Sequence, residues 1–215
     1  VSDVSGKYNT AMGYGSQYLK SSGDSNTSIG YNSLRTTSGQ SFSHNVAIGI
    51  DALRNLLINN LGNTAVGSYA GSGSQGSDST KGRYNTFLGY MAGYKNAPVN
   101  IEFQIGNYNI AIGNDTGKSL TTSNNILIGR AVESPLSEDG VINIGNVLYG
   151  RGATNGSTPS VSAKVGIGKT PFASLDVAGD SNFDGFATFK DSAEVIGDFA
   201  VGGELSASNF SGSNT

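Results

Sequence analysis

The chain has 215 residues, a formal net charge of -3 and only 13% charged residues, against about 25% in ordinary globular domains. No run of Lys or Arg is available to neutralise a phosphate backbone, which excludes nucleic acid as an expected partner, and the absence of cysteine excludes disulfides and thiolate metal sites. Its 32 glycines argue against a helical bundle and its low net charge against a disordered tail, which leaves short strands and tight turns.

A five-residue unit recurs from near the start. The copies are Asn9-Thr10-Ala11-Met12-Gly13, Asn26-Thr27-Ser28-Ile29-Gly30, Asn45-Val46-Ala47-Ile48-Gly49, Asn63-Thr64-Ala65-Val66-Gly67, Asn85-Thr86-Phe87-Leu88-Gly89, Asn109-Ile110-Ala111-Ile112-Gly113 and Asn125-Ile126-Leu127-Ile128-Gly129. An eighth, Val141-Ile142-Asn143-Ile144-Gly145, lacks the leading Asn. Successive motif glycines are 17, 19, 18, 22, 24, 16 and 16 residues apart, so a fixed core is joined by connectors of variable length, as in a repeat array. Inside each copy the alternation has period two and reads as a strand. Stacked coils would align like residues in columns, with the Ala47 position on one face and the Ile48 position on the other.

After each Gly, two residues intervene before a small side chain (Ser16, Ser33, Ala52, Ala70, Ala92, Thr116), which reads as a corner followed by a second short strand. The Asn column has two readings: a ladder of amide hydrogen bonds between coils, or residues that simply tolerate a turn. The longest connectors, residues 71–84 and 94–108, are where recognition tends to sit on a rigid scaffold. The stretch from Ala52 to Leu57 has apolar pairs four apart and reads either as a helical turn or as a cover for the open side of a coil.

Eight coils at roughly 4.8 Å each make an array on the order of 40 Å long. Each coil brings only a few large apolar groups against an ordering cost of about 1–2 kcal/mol per backbone residue, so self-association of the apolar columns is the physical expectation. From Arg151 the pattern changes. Residues 151–163 read as a linker and 164–215 as a narrow β shaft, leaving 1–150 as the repeat array. The chain opens on Val1 and stops at Thr215 without a closing element, so it reads as a piece of a longer protein. No run of about 18 apolar residues is present, and membrane insertion of this segment is not expected.

The Asn-x-Ala-Ile-Gly-x-x-Ala/Ser copies resemble the head repeats of YadA-like trimeric autotransporter adhesins. The stretch from Val165 to Gly179, Val-Gly-Ile-Gly-x-Thr-Pro-x-x-x-Leu-Asp-Val-x-Gly, resembles a segment of tail-fibre proteins that carry a C-terminal intramolecular chaperone. The resemblance implies an all-β fold, a left-handed parallel β-roll or β-helix of repeats in an intertwined homotrimer, followed by a β-rich shaft. It implies a structural and attachment role in a fibre, facing a surface glycan or other receptor, on a phage tail fibre, a phage-derived injection machine or, alternatively, a bacterial cell surface. In such fibres a chaperone domain follows and is cut off after assembly. Connector lengths here exceed the compact spacing of the adhesin heads.

Two enzymatic readings compete. A hexapeptide-repeat acyltransferase fits Ile48-Gly49-Ile50-Asp51-Ala52, but needs about three such units per coil where this chain has one, and commonly a His base. The single His, His44, reads as a turn or surface residue. A polysaccharide-cleaving spike needs two carboxylates about 5–10 Å apart, whereas Glu102, Glu133, Glu138, Asp139, Glu194 and Glu204 are scattered through connectors. Asp78, Asp115, Asp139 and Asp184 lack the dense oxygen-ligand alternation of a calcium loop, and Gly71-Ser72-Gly73 lacks phosphate-loop context. No catalytic residue, cofactor or metal is therefore assigned. For a bound ligand carbohydrate fits best, with Tyr14, Tyr31, Tyr90 and Tyr94 offering flat apolar faces with a polar tip, and Arg83 beside them. The alternative is that these tyrosines pack between coils or subunits. The glycines at 13, 30, 49, 67, 89, 113, 129 and 145 are assigned to the scaffold.

Overall fold

The computed structural model describes residues 6–36, 40–55, 61–73, 82–95, 105–134, 139–152, 163–171, 173, 175–178 and 181. The chain divides into two units, Val1–Asp180 and Ser181–Thr215. The first is treated below. Residues 182–215 of the shaft assigned to 164–215, the centres of both long connectors, Leu56 and Leu57, and the acidic residues Asp78, Glu102, Glu138, Asp184, Glu194 and Glu204 lie outside the described residues.

The described residues hold no helix and thirteen short strands: β1 (Thr10–Met12), β2 (Lys20–Ser22), β3 (Thr27–Ile29), β4 (Gln40–Ser41), β5 (Val46–Ile48), β6 (Thr64–Val66), β7 (Thr86–Leu88), β8 (Ile110–Ile112), β9 (Ile126–Ile128), β10 (Ile142–Ile144), β11 (Leu148–Arg151), β12 (Lys164–Ile167) and β13 (Leu175–Val177). Every one of the eight repeat copies supplies a strand. The eight pair in parallel and in order, β1-β3-β5-β6-β7-β8-β9-β10, with matching positions opposite one another: Ala47 lies between Ser28 and Ala65, and Ile48 between Ile29 and Val66. The protein is thus an all-β, β-roll-like parallel repeat array.

The motif Asn fixes that register. Each side-chain Oδ1 accepts the backbone N–H of the equivalent residue one coil on: Asn26 to Asn9 at 2.9 Å, Asn45 to Asn26 at 3.0 Å, Asn63 to Asn45 at 2.9 Å, Asn85 to Asn63 at 2.9 Å, Asn109 to Asn85 at 2.9 Å and Asn125 to Asn109 at 3.0 Å. The Nδ2 groups donate to loop carbonyls such as Gly82 O and Gly106 O. Of the two readings of this column the ladder is the one realised, because a buried amide needs all its partners and the next coil supplies them. The last rung is Val141 N–H on Asn125 Oδ1 at 2.8 Å; Val141 has no acceptor to pass on, and the ladder ends there.

The motif Gly sets how closely coils approach. Gly49 and Gly89 have φ near +130°, and a Cβ on either would lie 2.6 Å from the carbonyl oxygen of the next motif Gly. No L side chain fits that conformation or that gap. Beyond the Gly, residues in the left-handed region alternate, as in Asp51, Leu53 and Asn55 with φ of 53°, 49° and 61°. Alternation turns successive amides opposite ways: Asp51 N–H bonds back to Tyr31 O and Leu53 N–H forward to Ala70 O, each at 2.9 Å. The corner therefore carries its own coil-to-coil ladder without strand torsions, and Ala52–Asn55 forms no helical turn. A second strand after the corner forms among the described residues only where β2 pairs with β4.

The core lies between the central strand position and the corner. Ala47, Ala65, Ala111, Ala52, Ala70 and Ala92 are wholly buried. Volumes compensate across coils. Where the strand centre is small (Ser28, Ala47, Ala65), the buried corner residue of the same or the preceding coil is Leu34 or Leu53. Where it is Phe87 or Leu127, the corner has Gly71, Gly93 or Gly117, and a Cβ on Gly71 would meet Phe87 at 2.7 Å. Such matching keeps the core dense without changing the strand register.

The sheet continues past residue 150. Positive φ at Gly145 and Asn146 reverses the chain, so β11 pairs antiparallel with β10, β12 antiparallel with β11, and β13 parallel with β12. A Lys169–Asp176 ion pair at 3.0 Å ties the last two together.

Two substitutions separate these constraints. Gly145 has φ +61° and open space around its Cβ position, so Gly145→Ala should cost only the left-handed strain of about 1–2 kcal/mol. Gly89→Ala adds the steric clash and should cost clearly more in urea denaturation; equal losses would show that close approach does not set the register. Asn85→Ala should cost roughly 2–4 kcal/mol, since it orphans the buried Asn109 N–H and the Gly106 carbonyl.

Candidate functional site

Residues immediately after the motif Gly project from the scaffold and share a column, which runs Tyr14, Tyr31, Ile50, Ser68, Tyr90. The aromatic ones are exposed, Tyr14 at 78%. Tyr14 and Tyr31 stack across coils with ring centroids 5.6 Å apart and planes 12° from parallel. Tyr90 stands three coils further on, roughly 14 Å along the stack at the strand spacing. There Tyr69 takes both Tyr90 and Tyr94 edge-on, at 6.2 and 6.0 Å. The four tyrosines selected from sequence thus fall into two groups. Arg83 belongs to neither in these contacts; its N–H donates to Asn107 Oδ1 at 2.9 Å and its Nε is buried.

The first group borders a cleft of about 450 Å³ lined by Gly13, Tyr14, Gly15, Tyr18, Asn32 and Arg35. Gly15 makes room for the Asn32 side chain, whose Oδ1 occupies the space a Cβ there would need. Arg35 lies over the Tyr18 ring, 5.4 Å from its centroid, and donates from Nη1 to Asn32 Oδ1 at 3.4 Å. Tyr18, Asn32 and Arg35 escaped the sequence reading. Aligning the repeats by their motif Gly would have found them, because Arg35, Arg54 and Lys118 then occupy one position. A third aromatic pair, Tyr84 on Tyr108 at 5.1 Å, precedes the motif Asn in two successive coils.

Other described titratable groups bond within the scaffold or stand exposed. His44 is an exposed turn residue with φ +59°. Glu133 accepts the N–H groups of Lys118 and Ser119, both at 2.9 Å, and the Ser119 hydroxyl; Asp139 accepts Ser123 N–H at 2.7 Å. Asp51 pairs with Arg54 at 3.3 Å and Asp115 with Lys118 at 2.5 Å. Among the described residues no cluster of three or more His, Asp or Glu could hold a metal, and no helix is long and apolar enough to cross a membrane. No family model, curated protein or solved structure matches this chain.

Among the described residues Lys95 is the buried cation, 6% exposed. Burial lowers its pKa to about 8, against an opposing pull from Glu133. The unfolded lysine keeps its proton to about 10.5, so between these values the unfolded state binds more protons and stability rises with pH. From pH 7 to 9 the gain should be about 1 kcal/mol, read as a rising urea midpoint. Lys95→Met should remove that slope; the same slope in the variant would refute the assignment.

Proposed function

We propose that this chain is a structural and receptor-attachment segment of a homotrimeric fibre, without catalysis. One observation carries the reading. The residue before each motif Gly (Met12, Ile29, Ile48, Val66, Leu88, Ile112, Ile128, Ile144) is aliphatic in all eight copies and points away from the core, with Met12 60% and Leu88 46% exposed. Eight stacked rungs form an apolar stripe that a monomer leaves in water, and fully burying each side chain would contribute about 1.5–3 kcal/mol. Identical copies meeting along this stripe cover it, and strand registry makes the stripe straight enough to do so. Exposed Val165, Ile167 and Leu175 extend the apolar character into β12 and β13. Three copies about a common axis, a left-handed roll and a β shaft through 164–215 are the arrangement that the resemblance to adhesin heads and tail fibres favours. Attachment to a cell-surface glycan, from a phage-type tail fibre, follows from the same likeness and from the projecting aromatic columns.

Gel filtration with light scattering should give a trimer, and Ile48→Glu with Leu88→Glu should drive it toward monomer while β-sheet circular dichroism persists. A wild-type segment that stays a stable monomer would overturn the proposal.

A further inference from the structure

The cleft at the first two coils carries a positive charge that no carboxylate among the described residues compensates. In three coils a cation sits three residues after a left-handed residue that follows the motif Gly. Two of these pairs are neutralised, Arg54 by Asp51 and Lys118 by Asp115. The third is Asn32 with Arg35. Asn32 has φ +52°, close to the 53° of Asp51 and 60° of Asp115, so the backbone role is the same and only the negative charge is missing. Asn32 is 3% exposed and its oxygen meets Arg35 at a long 3.4 Å. No carboxylate stands against Arg35 among the described residues. A guanidinium has five N–H donors and pairs bidentately with a planar carboxylate. Here its Cζ lies over the Tyr18 ring, 5.4 Å from the centroid, within cation–π reach. Beside it the Tyr14–Tyr31 stack presents the broad apolar surface on which a pyranose ring packs.

We propose that this cleft binds a carboxylate-bearing saccharide, with Arg35 taking the carboxylate and Tyr14 the sugar face. The choice of a saccharide rests on the attachment reading above; the preference for a negative charge rests on the Asn32 and Arg35 geometry alone.

The test is calorimetric titration of the intact segment with acidic saccharides (sialyllactose, an oligogalacturonate, a hyaluronan tetrasaccharide) and neutral ones (lactose, maltotetraose). At least one acidic saccharide should bind about tenfold or more tighter than the neutral ones. Arg35→Gln and Asn32→Asp should each weaken it by about tenfold or more. The second substitution rebuilds the Asp51–Arg54 arrangement, so it keeps the fold while neutralising the site. Tyr14→Ala should weaken it too, and Lys118→Gln, four coils away, should not. Equal binding of neutral and acidic saccharides, no binding of any acidic one, or unchanged binding by Asn32→Asp would overturn the proposal. Light scattering on the same samples reads assembly separately: a trimer that ignores acidic saccharides sinks this site alone, whereas a monomer that binds them upholds the site and sinks the fibre.

Discussion

The structure depends on the distance at which one coil meets the next. A chain with so few large apolar residues cannot rely on a deep core, and its stability comes from repeating a close contact many times. Asn Oδ1 on the next coil's amide and the side-chain-free Gly opposite the next Gly carbonyl define that contact from two sides. One is an attraction that is costly to leave unmade once buried; the other is a steric gap that only Gly leaves open. Shifting either by one residue would break both ladders at once, so register is fixed rung by rung and connector length becomes free to vary.

That freedom explains how repeat steps of 16 to 24 residues coexist with unbroken in-register pairing. Added residues enter between the corner and the next Asn, where they cost little because loop closure depends only weakly on length. The core accommodates sequence drift differently, by trading volume between neighbouring coils: Phe87 occupies the space that Gly71 and Gly93 leave. With interior space so limited, the aliphatic side chain before each motif Gly stands on the outside of the sheet. A scaffold of this kind presents its surface in columns, and an apolar column, an aromatic column and a column of i,i+3 charge pairs each become a strip of uniform chemistry. Interruptions in a strip are then the informative positions, as Asn32 is among Asp51 and Asp115.

Much of this is legible in the sequence. The eight copies predict eight strands, and the Ile48 column on the face opposite Ala47 follows from period two. Gly49 as scaffold follows from repetition, since a unit copied eight times is no catalytic signature. The corner was harder to read. Ala52 with Leu56 and Leu53 with Leu57 have helical spacing, and nothing local signals that Leu53 sits at φ +49°; the left-handed conformation is imposed by hydrogen bonds to Arg35 in the coil before and to Ala70 and Gly73 in the coil after. The pairing beyond Gly145 was equally hidden: short strands are legible from residue 164 on, but that β11 folds back on β10 and β12 then pairs with β11 across residues 152–163 is not written in any local pattern.

The sequence by itself determined the periodicity, the inward and outward faces and the residues able to bridge coils, because these follow from side-chain alternation and from which residues carry an amide or lack a Cβ. Only the tertiary structure decided which columns are neighbours. Tyr14 and Tyr31 are 17 residues apart in the chain yet stack face to face, and Arg35 reaches the Tyr18 ring of the previous coil, because the coil closes after one repeat and places like positions one strand spacing apart.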